Sequence, residues 1–242
     1  MTQALEQLRL QCKEWGCCLD RRSLALISAY ADLLASYKLA NVIGTKNRDT
    51  IILEHLLDSL SCLTAERVTS ASSLVDVGTG GGLPGIPLAI ARPELPVTLL
   101  EATAKKVRFL EHVRSRLDLP NLEILHARVE EAGREPCYRD VFDIATSRAL
   151  AALSVVVEYC APLVRQGGQI VAMKGRLQED ELSDGLAAAR ALGARLREVR
   201  EVDYMLHLPQ KERRIVLYSK VGVTPDPFPR GVGLAKRRPL GS

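Results

Sequence analysis

The feature that most constrains this chain is the stretch Asp76-Val77-Gly78-Thr79-Gly80-Gly81-Gly82-Leu83-Pro84-Gly85, set between an apolar, strand-like run (SSLVDVG) and a helical one (PGIPLAIA). Glycines this dense between a strand and a helix predict a tight turn. Its backbone N–H groups can approach a ligand closely, with the positive end of a helix dipole behind them. Gly80, Gly82 and Gly85 satisfy the GxGxxG spacing of dinucleotide sites, so a NAD-dependent dehydrogenase is one reading of the turn. Two carboxylates favour another. Asp76 closes the strand just before the glycines, where it repels a pyrophosphate but suits a cationic or hydroxyl-rich ligand. Glu101 ends the next strand-like run, 21 residues beyond Gly80, the spacing at which a carboxylate bridges ribose hydroxyls. Together they point to a nucleoside ligand without phosphate, and S-adenosylmethionine is such a ligand.

From residue 72 onward, strand-like and helical runs alternate. PVTLLEA is followed by AKKVRFLEHVRSRL; LEILHARV and VFDIATS come next, then LSVVVEYCAPLV before GGQIVAMKG. This rhythm predicts an α/β fold with an open parallel sheet covered on both faces. After the helical EDELSDGLAAARALG, the runs RLREVREVDYM and RRIVLYSKV read as an antiparallel pair added at the end of the sheet and joined by a polar connection. Residues 1–65 read as helices and act as a cap. Leu5, Leu8 and Cys12 recur at helical spacing, Asp20 is a candidate N-cap for the next helix, and Asp49 or Thr50 opens a third, TIILEHLLDSLSCL. Residues 66–221 form the ligand-binding domain. The Pro-rich ending, 222–242, predicts an extended basic tail with no regular element.

With 47% hydrophobic residues, 26% charged and a mean hydropathy of +0.02, the 242-residue chain has enough apolar material for a sizeable core, and wholesale disorder is excluded. No apolar run approaches the roughly 18 residues of a membrane span. Charges in MTQALEQLRLQCKEW replace the apolar centre of a signal peptide, so a cytoplasmic protein without membrane contact is expected. The six cysteines form no CxxC and no Cys/His cluster, so no metal site is expected. The adjacent Cys17 and Cys18 read as small hydrophobes on a helical stretch.

The net charge of +4 is unevenly spread. From Met205 to Ser242, eight Lys/Arg face two acids, which leaves the preceding residues slightly acidic. A cationic end on a near-neutral body is the footprint of a polyanion binder, and Arg213, Arg214, Arg230, Lys236, Arg237 and Arg238 are the candidate phosphate contacts. A non-catalytic RNA-binding protein fits this footprint as well. Aromatic residues, at 4%, are too few for serial base stacking, so recognition of a folded RNA by shape and phosphate is expected.

LVDVGTGGGLPGIPLAIARPELPVTLLEATAKKVRFLEHV resembles the cofactor region of the glucose-inhibited division protein B family, the small-subunit (16S) ribosomal RNA guanine-N7 methyltransferases. NVIGTKNRDTIILEHLLDSL resembles that family's helix entering the catalytic domain. HARVEEAG, FDIATSRALAAL, APLVRQGGQIVAMKG, ERRIVLYSK and FPRGVGLAKRRPL resemble its later blocks. The resemblance spans nearly all of residues 40–240. It implies a class I, Rossmann-like S-adenosylmethionine-dependent methyltransferase sheet with an N-terminal helical cap. Family cofactor contacts fall on Gly78, Leu83, Val129, Glu130 and Arg148, beside Asp76, Gly80 and Glu101 of the turn. Arg148 and Lys174 are the catalytic candidates, and ribosomal RNA or the ribosomal subunit is the implied partner, with no required protein partner evident.

The chemistry agrees with the resemblance. Amino-methylating enzymes of this fold carry an Asn/Asp-Pro-Pro-aromatic run after the fourth strand, where this chain has Thr146-Ser147-Arg148-Ala149, and no cysteine stands there to attack a pyrimidine ring. Guanine N7 offers its lone pair without losing a proton, so positioning and exclusion of water are the expected means of catalysis. His55 and Asp58, three apart on one helical face, are expected either to pack the helix by a hydrogen bond or to line an RNA cleft.

Overall fold

The computed structural model describes residues 2–204 and 212–241. Met205, which closes the strand-like run RLREVREVDYM, and Lys211, in the polar connection after it, lie outside the described residues. Helices α1 (Gln3–Glu14) and α2 (Arg21–Ser36) come first, and Asp20 caps α2 by accepting the Ser23 N–H at 2.7 Å. Cys17 and Cys18 sit between these helices rather than on one, because α1 ends at Glu14. The third helical stretch begins earlier than expected. Asn47 Oδ1, not Asp49 or Thr50, takes the capping role by accepting the Thr50 N–H at 2.9 Å. A short α3 (Arg48–Thr50) widens into a π-helical segment, Ile51–Leu56, and continues as α4 (Leu57–Leu60) and a 3-10 turn, Ser61–Thr64. α5 (Glu66–Thr69) leads into the sheet.

The alternating half matches the pattern read from sequence. In order come β1 (Leu74–Val77), α6 (Gly85–Ala91), β2 (Val97–Glu101), α7 (Ala104–Leu117), β3 (Leu122–His126) and α8 (Val129–Ala132). Then follow β4 (Phe142–Arg148), α9 (Leu153–Cys160), β5 (Val164–Lys174), α10 (Glu179–Ala191), β6 (Ala194–Glu201) and β7 (Arg214–Lys220). The strand order is β3-β2-β1-β4-β5-β7-β6. β1 to β5 run parallel, and β7 is antiparallel to both β5 and β6. Successive strand residues point to opposite faces, so the continuous apolar runs divide between two cores. Leu74, Leu99, Ile144, Val171 and Leu217 join one core with α6, α7 and the N-terminal helices. Val75, Leu100, Ala145, Ile170 and Val216 join the other with α9 and α10. The helical prefix thus shares a continuous buried cluster with the sheet.

The ending corrects the expectation of an extended tail. Residues 234–237 form a short helix, α11 (Leu234–Arg237), with Ala235 buried against the second core. The segment is pinned because its carbonyls and Arg230 find buried partners. Arg139 donates to the carbonyls of Thr224 and Phe228, each at 2.8 Å, and the Arg230 guanidinium pairs with Glu158, which is fully buried on α9.

Candidate active site

The carboxyl ends of β1, β2 and β4 and the loop after β3 open onto one cavity of about 560 Å³, within the range of small-ligand sites. Its walls include Val77, Gly78, Leu100, Glu101, Val129, Glu130, Leu150 and Tyr159. The backbone favours glycine at position 78. Its φ is +66°, and a Cβ would meet Leu150 Cδ1 at 2.6 Å. Glu101 is nearly buried, and its carboxylate accepts the N–H groups of Gly80 at 3.0 Å and Thr103 at 2.8 Å, which ties the turn to the end of β2. Glu130, also buried, accepts the Tyr159 hydroxyl at 2.9 Å. Burial, then the hydrogen bond to Glu130, pushes the Tyr159 phenol well up, so it stays a neutral donor.

Three expected ligand contacts do not reach this cavity. Asp76 is fully buried and spends both oxygens inside the protein: Oδ2 accepts from the Thr79 hydroxyl and the Gly85 N–H (2.9 Å), and Oδ1 from the Thr146 hydroxyl (3.0 Å). It pins the turn to β4. Burial raises its pKa from 3.8 to about 6 against those three hydrogen bonds. Gly80 is held by Glu101, and Leu83 packs against the first core, so neither is among the lining residues. The turn is braced from the other side as well, because the buried Tyr30 of α2 donates its hydroxyl to the Gly81 carbonyl.

Arg148, expected at the cofactor, lies in a second cavity of about 200 Å³ lined by Asp58, Arg148, Ala149, Met173, Lys174, Gly175 and Arg213. Its guanidinium is drawn there by the third helical stretch. Nε pairs with Asp58 Oδ2 at 3.0 Å, Nη1 donates to the His55 carbonyl at 3.2 Å, and Nη2 donates to His55 Nδ1 at 2.8 Å. The π-helical segment presents that carbonyl, as such segments often do where a site is built. Asp58, itself buried, also pairs with Arg213 Nε and accepts the Tyr204 hydroxyl, both at 3.2 Å. His55 and Asp58 therefore both engage Arg148, and Asp58 borders this cavity. Lys174 donates to the Ala151 carbonyl at 3.0 Å and pairs with Glu181 at 2.5 Å. The two cavities share Ala149, whose φ of +52° turns the chain sharply after β4.

The basic candidates scatter. Arg213 lies in the second cavity, Arg214 pairs with Glu201 and Glu212, and Arg230 is consumed by Glu158. Lys236 reaches the rim of the first cavity, while Arg237 and Arg238 are exposed. Tyr159, Lys106, Arg128, Val232 and Gly233 line the first cavity without having been singled out. Tyr159 carried no signal beyond an apolar helical face, because its neighbour Glu130 is 29 residues away in sequence.

A parallel sheet carrying an antiparallel β7 between β5 and β6, with the ligand cavity at the carboxyl ends of its strands, defines a Rossmann-like fold. The same fold is seen in the antibiotic-resistance methyltransferase Kmr, which is 22% identical with a TM-score of 0.51 over 68% of this chain and 94% of that one. It recurs in the mitomycin 7-O-methyltransferase MmcR, 17% identical with a TM-score of 0.56 over 72% of this chain and 56% of that one. The fold is thus one that these methyltransferases share. Residues 23–216 match the GidB family, rRNA small subunit methyltransferase G, and the chain belongs to that family. It is 48% identical to the ribosomal RNA small subunit methyltransferase G of Rubrobacter xylanophilus, across 98% of this chain and 91% of that protein. The protein of the same name from Chloroflexus aggregans is 40% identical, across 93% and 94%. This membership decides against the dehydrogenase and against a non-catalytic RNA binder. Among the described residues, no helix is long and apolar enough to cross a membrane.

Proposed function

We propose that the protein methylates N7 of a guanine in small-subunit (16S) ribosomal RNA, with S-adenosylmethionine in the first cavity and the base in the second. The residues suit that cofactor: a glycine in the cavity wall, apolar walls from Val77, Leu100, Val129 and Leu150, and two buried carboxylates, Glu101 and Glu130, for a ligand bearing hydroxyls and an amine. When bound, S-adenosylmethionine supplies a methyl group activated by a sulfonium.

The observation that carries the reading is the state of Asp58. Among the described residues it is the one carboxylate lining the second cavity, and both of its oxygens are engaged, by Arg148, Arg213 and Tyr204. Burial and the Asp58 charge push the Tyr204 phenol well up, so that hydrogen stays on the tyrosine. Held in this way, Asp58 leaves neither oxygen free of protein donors to face an exocyclic amine. Attack by guanine N7 releases no proton, whereas methylation of an exocyclic amine must lose one. Among the described residues neither cavity is lined by a cysteine, and burial pushes the thiols of Cys62 and Cys160 well up, which speaks against a thiolate route to a pyrimidine carbon. What remains for the chain is to hold the base in line and keep water out. Arg148, Arg213 and Lys174 supply cationic donors for the base or its phosphates, and the exposed Arg237 and Arg238 supply more for the RNA backbone.

The test is nucleoside mass spectrometry of small-subunit ribosomal RNA after incubation with the protein and S-adenosylmethionine carrying a deuterated methyl group. Labelled 7-methylguanosine is expected. Label in N6-methyladenosine or 5-methylcytidine overturns the proposal.

A further inference from the structure

The C-terminal segment, read from its composition as an arm for RNA, runs instead along the first cavity. Its anchor is strong. The backbone N–H of Arg230 donates to Glu158 Oε1 at 3.1 Å, Nε donates to Oε1 at 2.9 Å and to Oε2 at 3.1 Å, and Nη2 donates to Oε2 at 2.5 Å. Arg134 adds a hydrogen bond to the Pro227 carbonyl at 3.0 Å. Beyond this anchor, Val232, Gly233 and Lys236 all line the cavity.

Two details say what this wall meets. The Gly233 N–H donates to Glu130 Oε1 at 2.8 Å, the same oxygen that accepts the Tyr159 hydroxyl, while no described residue donates to Oε2. One carboxylate oxygen is thus fixed from both sides and the other is left for a ligand donor. Val232, two residues after the anchor, is 48% exposed although it borders the cavity. A half-exposed valine beside a carboxylate with a spare acceptor forms a surface for a flat, apolar ring bearing an amine.

We infer that residues 232–236 complete the adenine subsite, with Val232 covering one face of the purine and the strap holding Glu130 in place to accept from the exocyclic amine. The inference rests on the cofactor reading above and assigns the C-terminal segment a part in it. It also explains why Gly233, at φ +74°, stands at the head of α11, since a left-handed turn there aims its N–H at Glu130.

The experiment is isothermal titration calorimetry of the full-length protein with S-adenosylhomocysteine, paired with the melting temperature of each ligand-free variant. Val232→Asp sets a second carboxylate beside Glu130 and removes the apolar cover, and about a tenfold or greater rise in Kd is expected. Val232→Thr keeps the shape and adds a hydroxyl, for an expected rise of about threefold to tenfold. An exposed side chain contributes little to the fold, so melting temperatures should stay together. If the wild type binds but Val232→Asp and Val232→Thr both fall within twofold of it, the strap assignment is overturned. If the wild type itself binds no S-adenosylhomocysteine, the cofactor reading fails first, and the two failures are told apart by that one control.

Discussion

Arg230→Ala removes the cation from a carboxylate that has no access to water. Glu158 is 0% exposed, and all of its hydrogen bonds described above come from Arg230, whose side chain is itself only 20% exposed and lies over the Phe228 ring. Taking away one partner of a buried pair leaves an uncompensated charge and costs about 3–5 kcal/mol, whereas an exposed pair is worth about 0–1 kcal/mol. For a chain of this size each kcal/mol moves the melting temperature by about 2–4 °C, so a fall of roughly 6–20 °C is expected. Replacing both partners, as Arg230→Leu with Glu158→Leu, leaves no orphaned charge and should recover most of the loss. Calorimetric or circular-dichroism melts of the wild type, Arg230→Ala and the double variant give the answer. A single-variant loss below about 1 kcal/mol, or a double variant no better than Arg230→Ala, refutes the claim that this pair anchors the C-terminal segment. RNA binding provides a cross-check, because a residue occupied by Glu158 should not change the salt dependence when it is removed.

Glu101→Ala should weaken S-adenosylhomocysteine binding by about tenfold to a hundredfold, since a buried, charge-assisted hydrogen bond to a ligand is worth about 1.5–3 kcal/mol; unchanged affinity by calorimetry removes it from the cofactor site. Asp76 has a folded pKa of about 6 against an ordinary 3.8, so its protonated form is the one the fold favours. Its contribution to stability is complete below about pH 4 and lost as pH rises through 6, and wild type should therefore gain on Asp76→Asn by roughly 2–3 kcal/mol as pH falls across that window. A difference between the two urea-unfolding curves that is flat in pH contradicts this. Arg237→Ala with Arg238→Ala should lower the slope of log affinity against log salt for ribosomal RNA by about 0.7–0.9 per lost contact, leaving cofactor affinity unchanged. An unaltered slope in filter-binding titrations withdraws these two residues from the RNA interface. Asp58→Ala frees Arg148 and Arg213, and methyl transfer should fall by about tenfold or more because a truncated buried charge pair costs several kcal/mol; full activity in a tritiated-methyl transfer assay rules out a positioning role for Asp58.

Much of the sheet could be read from the chain alone, for a local reason. Strands buried on both faces need continuous apolar runs, and helices on the faces need apolar residues every three or four positions, so AKKVRFLEHVRSRL and GGQIVAMKG carry their own secondary structure wherever they end up. The glycine turn was legible because glycine adopts a φ of +66°, as at Gly78, more readily than any other residue, and Glu101 because a carboxylate at the end of β2 lies at a distance from the turn set by one βα unit. Side-chain direction was not legible. Asp76 looked like a ligand contact by position, and only the packed structure turns its oxygens inward to Thr79, Gly85 and Thr146. The start of the third helix was misplaced, since Asn47, Asp49 and Thr50 all make acceptable caps and it is Asn47 whose side chain accepts the Thr50 N–H.

The sequence by itself therefore determined the α/β class, the order of elements and the identity of the turn, all of which follow from residues close together along the chain. Tertiary structure alone decided which distant residues meet. Arg148 is 90 residues beyond Asp58, and nothing local draws it away from the cofactor cavity; that follows from packing the helical prefix against the same face of the sheet. The basic ending is the sharper case, because composition registers how many charges a segment carries but not their partners. Glu158, buried on a helix about 70 residues upstream, converts Arg230 from a free cation into an anchor and brings Val232 and Gly233 to the cavity. The physical reason is the cost of burying an unpaired charge, which the chain meets only once it is folded.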